Sequence, residues 1–209
     1  MLDILTVCTG NICRSPLAAQ LLATRLADLG VTVSSAGTRA RGGTPMTPEA
    51  QALAADRGIP SSLSAEHAAR YLTPAHVAAA DLVLAMTRDH RREIVELDPS
   101  RVRTAFTVRE FARLAADVSD DELRAAASAV AGSGSAVSAE ARARFAAALA
   151  VVAGRRGLVL PPASPDDDDV IDPYGRSTAT YERSADEMAP GLAAVERIVR
   201  VALSRSDVI

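Results

Sequence analysis

The stretch LDILTVCTGNICRSP, residues 2–16, decides the fold of this chain of 209 residues. Residues 2–7 are almost wholly apolar, which is typical of a central strand in a parallel sheet. Ser15 and Pro16 then begin an apolar-periodic run that ends at Gly30. Ser as N-cap, Pro at the first helical position and Gly just past the end predict a helix. Residues 8–14 are therefore predicted to form a strand-to-helix turn.

Strand and helix signals continue to alternate along the first half of the chain. Further strands are predicted at 31–34, 81–86 and 102–107. Helices are predicted at 48–57, from Thr73-Pro74 onward, and after Thr87. Short connections between alternating strands and helices predict an α/β fold in three layers, with helices on both faces of a four-stranded, twisted parallel sheet.

The pattern changes after about residue 117. Residues 117–157 are Ala-rich and helical in character, with a capping box at Ser119 to Glu122, a turn at 132–135 and a second helix start at Ser138. We expect a helical hairpin inserted at about 117–165 into a single domain that spans 1–209. The acidic run 166–169 is predicted to be a solvated linker. A terminal helix at 178–203 is predicted to be kinked or divided at Pro190, with a second start at Ser184.

Composition narrows the classes of function. The chain is 48% hydrophobic and 23% charged, with a net charge of -3, which is ordinary for a soluble globular protein and gives no indication of a nucleic-acid partner. No apolar stretch approaches the length of a membrane span. Two cysteines five positions apart are too few for a secreted disulfide framework. We expect a soluble cytoplasmic protein with reduced cysteines and no membrane partner.

The turn at residues 8–14 carries the residues for phosphate chemistry. It lies at the carboxyl end of a strand, where its amides and the helix N-terminus form an anion site that favours the thiolate of Cys8. Arg14 can offer two parallel donors to two phosphoryl oxygens. Ser15 can hydrogen-bond the thiolate. Gly10 permits a tight backbone, and Asn11 tolerates the left-handed conformation that turns amides inward.

Several segments resemble one known family. Residues 7–16 (VCTGNICRSP) look like the signature of the low-molecular-weight protein tyrosine phosphatases, and Asp172-Pro173-Tyr174 matches the Asp-Pro-aromatic acid loop of that family. Residues 35–38 and 80–86 also resemble family segments. The likeness, to a bacterial-type member, covers about 1–111 and 170–204. The helical segment between them has no counterpart in the minimal family domain.

The resemblance implies a phosphatase that needs no metal and no cofactor. Cys8 would be the nucleophile, Arg14 would hold the transferred phosphoryl group, and Asp172 would be the general acid and then the general base. Tyr174 would stack on a substrate ring. By the same resemblance, Asn11, Ser15 and Ser35 would support the loop. The phosphate-binding residues would be Thr9, Gly10, Asn11, Ile12, Cys13, Arg14 and Ser15.

Cys13 and the histidines leave alternatives open. Cys13 is either a small apolar loop residue or, as the resemblance implies, the partner of Cys8 in a reversible disulfide. The spacings of the two cysteines with His67, His76 and His90 fit no tetrahedral metal site, and the histidines are predicted on exposed helical stretches. We therefore expect no metal.

Substrate choice has competing signals. Phosphoarginine phosphatases of this family typically carry Thr at the position of Ile12, so Ile12 favours phosphotyrosine. Many tyrosine-directed members place an aromatic residue in the loop at 38–47, whereas this chain has Arg39 and Arg41, which either attract acidic sequence or are ordinary surface residues. Arsenate reductases need further cysteines. A non-catalytic phosphopeptide-binding module is the alternative from another class.

The expected partner is a phosphorylated protein, for which a bacterial tyrosine kinase of envelope polysaccharide export is a family-level candidate. We expect a monomer or weak dimer.

Overall fold

The computed structural model describes residues 1–130 and 137–204 and has one four-stranded sheet in them. All strand pairs are parallel, in the order β2-β1-β3-β4. The strands are β1 (Leu2–Cys8), β2 (Val31–Gly37), β3 (Leu82–Ala85) and β4 (Ala105–Thr107). The predicted three-layer α/β fold with a parallel sheet of four strands is confirmed.

The helices are α1 (Arg14–Arg25), α2 (Pro48–Asp56), α3 (Ser61–Ala65), α4 (Pro74–Ala79), α5 (Arg88–Leu97), α6 (Val108–Ala115), α7 (Asp120–Ala129), α8 (Val137–Gly154) and α9 (Thr178–Leu203). They cover both faces of the sheet, because alternate residues of each strand face opposite layers. Ile4 packs into the larger cluster, beneath α1, α6 and α9. Leu5 packs on the other face, with Val77 of α4 and Ile94 of α5.

Several predicted boundaries were wrong. The second strand was predicted at 31–34, but β2 extends to Gly37 because it pairs with β1 as far as Cys8. Ser15 was predicted as the N-cap of the first helix, but α1 begins at Arg14 after Cys13, and the Ser15 hydroxyl lies beside Cys8 Sγ instead. The fourth strand was predicted at 102–107, but residues 99–103 form a 3₁₀ turn that the Asp98 side chain caps by accepting from Ser100 N, so only 105–107 pair with β3. The first helix was predicted to run to Gly30, but α1 ends at Arg25 and a 3₁₀ turn follows. Gly30, at φ 64°, turns the chain into β2, a conformation that Gly adopts readily.

The α7–α8 pair packs into the main core rather than standing apart from it. The predicted capping box at Ser119 is confirmed, while the predicted turn at 132–135 lies outside the described residues. Leu123 of α7 and Phe145 of α8 are fully buried in the larger cluster. Arg142 of α8 bonds the carbonyl oxygen of Met1, at the amino end of β1. This part of the pair therefore lies at the sheet edge opposite to the carboxyl ends of the strands.

The terminal helix α9 crosses Pro190 as one continuous helix. The predicted division there was wrong, and Ser184, predicted as a second start, is buried inside the helix. Pro190 removes one backbone donor, but buried contacts through Met188 and Leu192 continue on both sides of it. In the described ranges, no helix is sufficiently long and apolar to cross a membrane.

Candidate active site

The loop between β1 and α1 has its carbonyl groups held from outside. The four carbonyl oxygens concerned accept from Thr38 N (Cys8 O, 2.9 Å), Arg39 N (Thr9 O, 2.9 Å), His67 Nε2 (Asn11 O, 2.7 Å) and Thr47 N (Ile12 O, 3.0 Å). With these carbonyls directed outward, the loop can present its N–H groups to the inside, which is the arrangement of a backbone anion site. The Asn11 N–H accordingly points at Cys8 Sγ, 3.3 Å away.

Asn11 is the residue around which the loop is built. It is fully buried, and its φ of 55° makes it the one non-glycine residue with positive φ in the described ranges. Its Nδ2 donates to Ser15 Oγ (2.9 Å) and Ser35 Oγ (2.8 Å), and its Oδ1 accepts from Arg70 N (3.0 Å). These bonds satisfy a buried amide and fix a backbone conformation that costs about 1 kcal/mol or more.

Cys8 is buried at the end of β1 with two polar contacts on its sulfur. Ser15 Oγ lies 3.0 Å from Cys8 Sγ. Ser15 Oγ accepts from Asn11 Nδ2, and its one hydrogen can be directed either to the Cys8 sulfur or to the carbonyl oxygen of Ala36, 3.4 Å away. The Ser15 hydroxyl and the Asn11 amide therefore both contact the sulfur of the predicted nucleophile.

A cavity of about 190 Å³ opens above this sulfur. It is lined by Cys8, Thr9, Gly10, Ile12, Cys13, Arg14, Asp172 and Tyr174. The structure thus brings the predicted acid, Asp172, to the loop that holds the predicted nucleophile Cys8 and the predicted arginine Arg14, more than 150 residues earlier in the sequence.

Arg14 and Asp172 form an ion pair in the wall of the cavity. Arg14 Nη2 lies 2.8 Å from Asp172 Oδ2, with the arginine side chain 4% and the aspartate side chain 52% exposed. Arg14 Nη1 donates to the carbonyl oxygen of Val170 at 3.0 Å. Asp172 Oδ1 accepts from the Tyr174 N–H at 3.2 Å. The Tyr174 ring is mostly exposed at the cavity mouth.

Cys13 is a free, buried thiol at the end of the loop, directly before α1. Its Sγ lies 3.6 Å from Thr47 Oγ1 and 3.6 Å from the Tyr181 hydroxyl. Burial raises the pKa of the Cys13 thiol, and burial likewise raises the pKa of Tyr181 to about 12. Cys13 is therefore a neutral thiol at neutral pH. Its predicted redox pairing with Cys8 stays a prediction.

His90 is a site residue that the sequence reasoning missed. It was predicted on an exposed helix, but its side chain is only 5% exposed. Its Nε2 lies 2.8 Å from Thr9 Oγ1 in the loop, and its Nδ1 lies 2.8 Å from Thr87 Oγ1, the N-cap of α5. Burial, and next the charge of Arg14, lowers the pKa of His90 to about 4. The imidazole is neutral at pH 7.

The other two histidines are also engaged rather than simply exposed. His67 is half-buried and bonds Asn11 O, and burial lowers its pKa. His76 lies in a capping box with Thr73. In the ranges 1–130 and 137–204, no three His, Cys, Asp or Glu side chains group to hold a metal ion.

A Thr-x-x-His spacing at Thr87 was the one sequence signal that marked His90 as a capping partner.

The acidic run before the acid loop is only partly the solvated linker that was predicted, because Asp166 and Asp167 are exposed whereas Asp168 and Asp169 are partly buried and anchored. Asp166 pairs with Arg88, and Asp167 accepts from Ser164 N. Asp168 pairs with Arg113 at 2.8 Å. The Asp169 carboxylate accepts from the Arg88 backbone N–H at 2.7 Å. Asp168 and Asp169 thereby tie the approach to Asp172 to α6 and α5.

Beside the cavity above Cys8 lies a second, open cleft of about 370 Å³ that shares the walls formed by Thr9, Arg14 and Asp172. Arg39 lines this cleft on one side, and Asp89 and Glu93 line it too. Arg41 is exposed on the loop at 38–47.

Several known proteins are similar to this chain in sequence and in fold. The family model described as low molecular weight phosphotyrosine protein phosphatase matches residues 3–126. A probable low molecular weight protein-tyrosine-phosphatase, EpsP, of Ralstonia solanacearum is 45% identical over 108 residues, which are 52% of this chain and 71% of that protein. A protein-arginine-phosphatase of Geobacillus stearothermophilus is 41% identical over 108 residues, 52% of this chain and 70% of that protein.

Among solved structures, the YwlE arginine phosphatase from Geobacillus stearothermophilus superimposes with a TM-score of 0.61 at 27% identity, covering 94% of this chain and 91% of that one. The family model covers more than half of the 209 residues. The chain belongs to the low molecular weight phosphotyrosine protein phosphatase family.

Proposed function

We propose that this chain hydrolyses phosphotyrosine on proteins through a phosphocysteine intermediate formed on Cys8. The observation that carries the proposal is the convergence of Cys8, Arg14 and Asp172 on one cavity of about 190 Å³, above a loop whose carbonyls are held outward. A thiol nucleophile, a cationic fork and a carboxyl group are the parts that metal-free phosphoryl transfer requires.

In the first step, the Cys8 thiolate attacks phosphorus and an S–P bond forms. The bond between phosphorus and the phenolic oxygen breaks, and that oxygen takes the proton of Asp172. Arg14 and the loop amides bind the non-bridging oxygens, where negative charge accumulates. The products of this step are the free phenol, phosphocysteine and the Asp172 carboxylate.

In the second step, the Asp172 carboxylate accepts a proton from water as the water oxygen attacks phosphorus. The S–P bond breaks, inorganic phosphate leaves, and Cys8 departs as the thiolate. The Ser15 hydroxyl, 3.0 Å from Cys8 Sγ, stabilises that leaving thiolate. The cycle returns Asp172 to its protonated form and needs no metal or cofactor.

The contact between Arg14 and Asp172 must change when substrate binds. In the free protein, Arg14 Nη2 bonds Asp172, but a phosphoryl group over Cys8 claims that donor. Asp172 is then released to meet the leaving oxygen. Arg14 keeps its Nη1 bond to Val170 O, so the guanidinium stays oriented during the exchange.

The cavity walls favour an aryl ester. Ile12 lines the cavity with an apolar surface, and the Tyr174 ring stands at its mouth, where it can stack on a phenyl ring. The second candidate is phosphoarginine, because similar proteins of Geobacillus stearothermophilus and Bacillus subtilis are named as arginine phosphatases. Arsenate reduction needs resolving cysteines beyond the two in this sequence.

The wider context is proposed on the same basis. The macromolecular partner is a phosphorylated protein, with a bacterial tyrosine kinase as the candidate, and the chain acts in the cytoplasm as a monomer or weak dimer. We also propose that residues 1–209 form one domain in which about 117–165 are an insertion. In the described residues, α7 and α8 contribute nothing to the lining of the catalytic cavity.

The first test compares hydrolysis of an aryl phosphate by the wild type and by Cys8→Ser. We expect Cys8→Ser to lose essentially all turnover while it still binds inorganic phosphate. Equal activity in the wild type and Cys8→Ser, or none in either, would overturn the enzymatic assignment. Inactive wild type with tight phosphopeptide binding would indicate a binding module.

The second test compares kcat/KM for matched peptides that carry phosphotyrosine, phosphoarginine or phosphoserine. We expect phosphotyrosine to be preferred over phosphoserine by several orders of magnitude, because a phenolate is the better leaving group. A preference for phosphoarginine would replace the proposed substrate and leave the mechanism at Cys8 in place.

A further inference from the structure

The backbone immediately before Asp172 is tied to three different elements. The Asp169 carboxylate accepts from Arg88 N (2.7 Å), Nε (3.2 Å) and Nη2 (3.1 Å) at the start of α5. Val170 N donates to Met86 O at 2.8 Å, just past the end of β3. Ile171 N donates to Glu187 Oε2 of α9 at 2.8 Å.

Glu187 is a mostly buried carboxylate that the proposed reaction does not use. Its side chain is 14% exposed and pairs with Arg183 at 2.8 Å. Its other oxygen accepts the N–H of Ile171, the residue that directly precedes Asp172. Arg109 links the two carboxylate-bearing segments, since its Nη1 donates to Asp169 O at 3.0 Å and lies 3.9 Å from Glu187 Oε2.

We propose that Asp169 and Glu187 are positioning residues that hold Asp172 over the leaving oxygen from opposite sides of the acid loop. The inference rests on the proposed function, because it takes Asp172 as the general acid. Neither residue lines the catalytic cavity, so each acts through the backbone of residues 169–171.

The exchange of partners at Arg14 makes these anchors necessary. In the free protein, the Asp172 carboxylate contacts Arg14 and otherwise only the N–H of its neighbour Tyr174 within the described residues. Once a phosphoryl group occupies Arg14, the side chain of Asp172 loses its one contact with the rest of the site. Its position is then set by the chain that carries it, and a misplacement of about 1 Å can cost roughly 100-fold in rate.

Charge makes both anchors strong. A carboxylate at a helix N-terminus is stabilised by the free N–H groups and the dipole there, and Asp169 occupies that place on α5. A hydrogen bond from a backbone N–H to an ionised acceptor, as at Glu187, is shorter and stronger than a neutral one.

The test uses aryl phosphates whose leaving phenols differ in acidity, with kcat/KM as the readout. A poor leaving group such as phenol depends on the general acid, whereas 4-nitrophenol depends on it much less. Asp172→Ala sets the full size of this difference. We expect Asp169→Ala and Glu187→Ala to lower kcat/KM for phenyl phosphate by roughly tenfold or more and for 4-nitrophenyl phosphate by much less.

Two conservative and two control variants separate positioning from general damage. Glu187→Gln keeps an oxygen for Ile171 N and should restore most of the phenyl phosphate activity. Asp166→Ala also removes a partner of Arg88, and Glu196→Ala also removes an Arg pair on α9. Neither touches the acid loop, so both should behave as wild type. Asp169→Asn, which keeps an acceptor for Arg88 N, should fall between wild type and Asp169→Ala.

The outcomes distinguish a failure of the positioning role of Asp169 and Glu187 from a failure of Asp172 as the general acid. If Asp172→Ala shows no dependence on the leaving group, Asp172 is not the acid and the positioning role fails with it. If Asp172→Ala shows the dependence but Asp169→Ala and Glu187→Ala slow both substrates equally, Asp172 stands and the positioning role is overturned. Inorganic phosphate should bind all these variants with nearly wild-type affinity, and a loss of that affinity would also contradict the proposal.

Discussion

His90 should make the stability of the protein fall on mild acidification. The buried imidazole contacts Thr9 of the loop between β1 and α1 and Thr87 at the start of α5. Burial, with Arg14 as the next cause, lowers its pKa in the folded state to about 4 from an ordinary value of 6.5. The folded protein therefore resists a proton that the unfolded chain accepts.

The sign and size follow from proton linkage. Above pH 6.5, neither state protonates this histidine and its contribution to stability is complete. As the pH falls from 6.5 toward 4, the unfolded chain gains the proton first, so the free energy of unfolding decreases. With pKa values of about 4 and 6.5, the loss between pH 7.5 and 5.0 is about 2 kcal/mol.

Urea unfolding of the wild type and of His90→Gln at the two pH values measures this loss. Other groups titrate in the same range, so the quantity of interest is the difference between the two proteins. We expect the wild type to lose about 2 kcal/mol more than His90→Gln. His76→Gln is the matched comparison, because His76 also follows a Thr N-cap but is less buried than His90. Burial lowers the pKa of His76 as well, so we expect His76→Gln to reduce the acid sensitivity in the same direction but by less than His90→Gln does. Equal acid sensitivity in the wild type and His90→Gln would refute the reasoning.

Three substitutions and one control give further tests by urea unfolding at pH 7.5. Gly37→Ala would place a Cβ 2.5 Å from the carbonyl oxygen of Thr9 and should cost about 1–3 kcal/mol, whereas Gly42→Ala, with its nearest neighbour 4.0 Å away, should change stability little. Gly154→Ala, at the end of α8 in open space, should raise stability by up to about 1 kcal/mol. Asn11→Ala removes three side-chain hydrogen bonds and should cost about 3 kcal/mol and most of the activity; a stable, active variant would contradict the role given to Asn11.

Local signals carried the prediction of the fold. An apolar strand and Thr N-caps act over a few residues, so β1 and α5 could be predicted from short stretches of sequence. The Ser-Pro pair predicted the start of α1 to within one residue, although its N-cap is Cys13 and not Ser15. Failures came where packing overrides such signals. Pro190 did not divide α9, because buried contacts continue on both sides of it.

The residues of the site also differ in how far their positions could be predicted from the sequence. Cys8 and Arg14 lie six positions apart in one turn, so their approach follows from local geometry. His90 and the acidic run depend on partners far away in sequence, such as Thr9 for His90 and Arg113 for Asp168. Those pairings arise only in the tertiary fold, so the spacing of the residues along the sequence could not predict them.

The central claim is that Cys8 carries the phosphoryl group during turnover. Acid quench of the working enzyme with an aryl phosphate, followed by mass spectrometry of its peptides, measures this directly. We expect one added phosphoryl group on the peptide that contains residues 8–14, located on Cys8, and its absence in Cys8→Ala. Turnover with no phosphorylated Cys8 at any quench time, or with the phosphoryl group on another residue, would contradict the account.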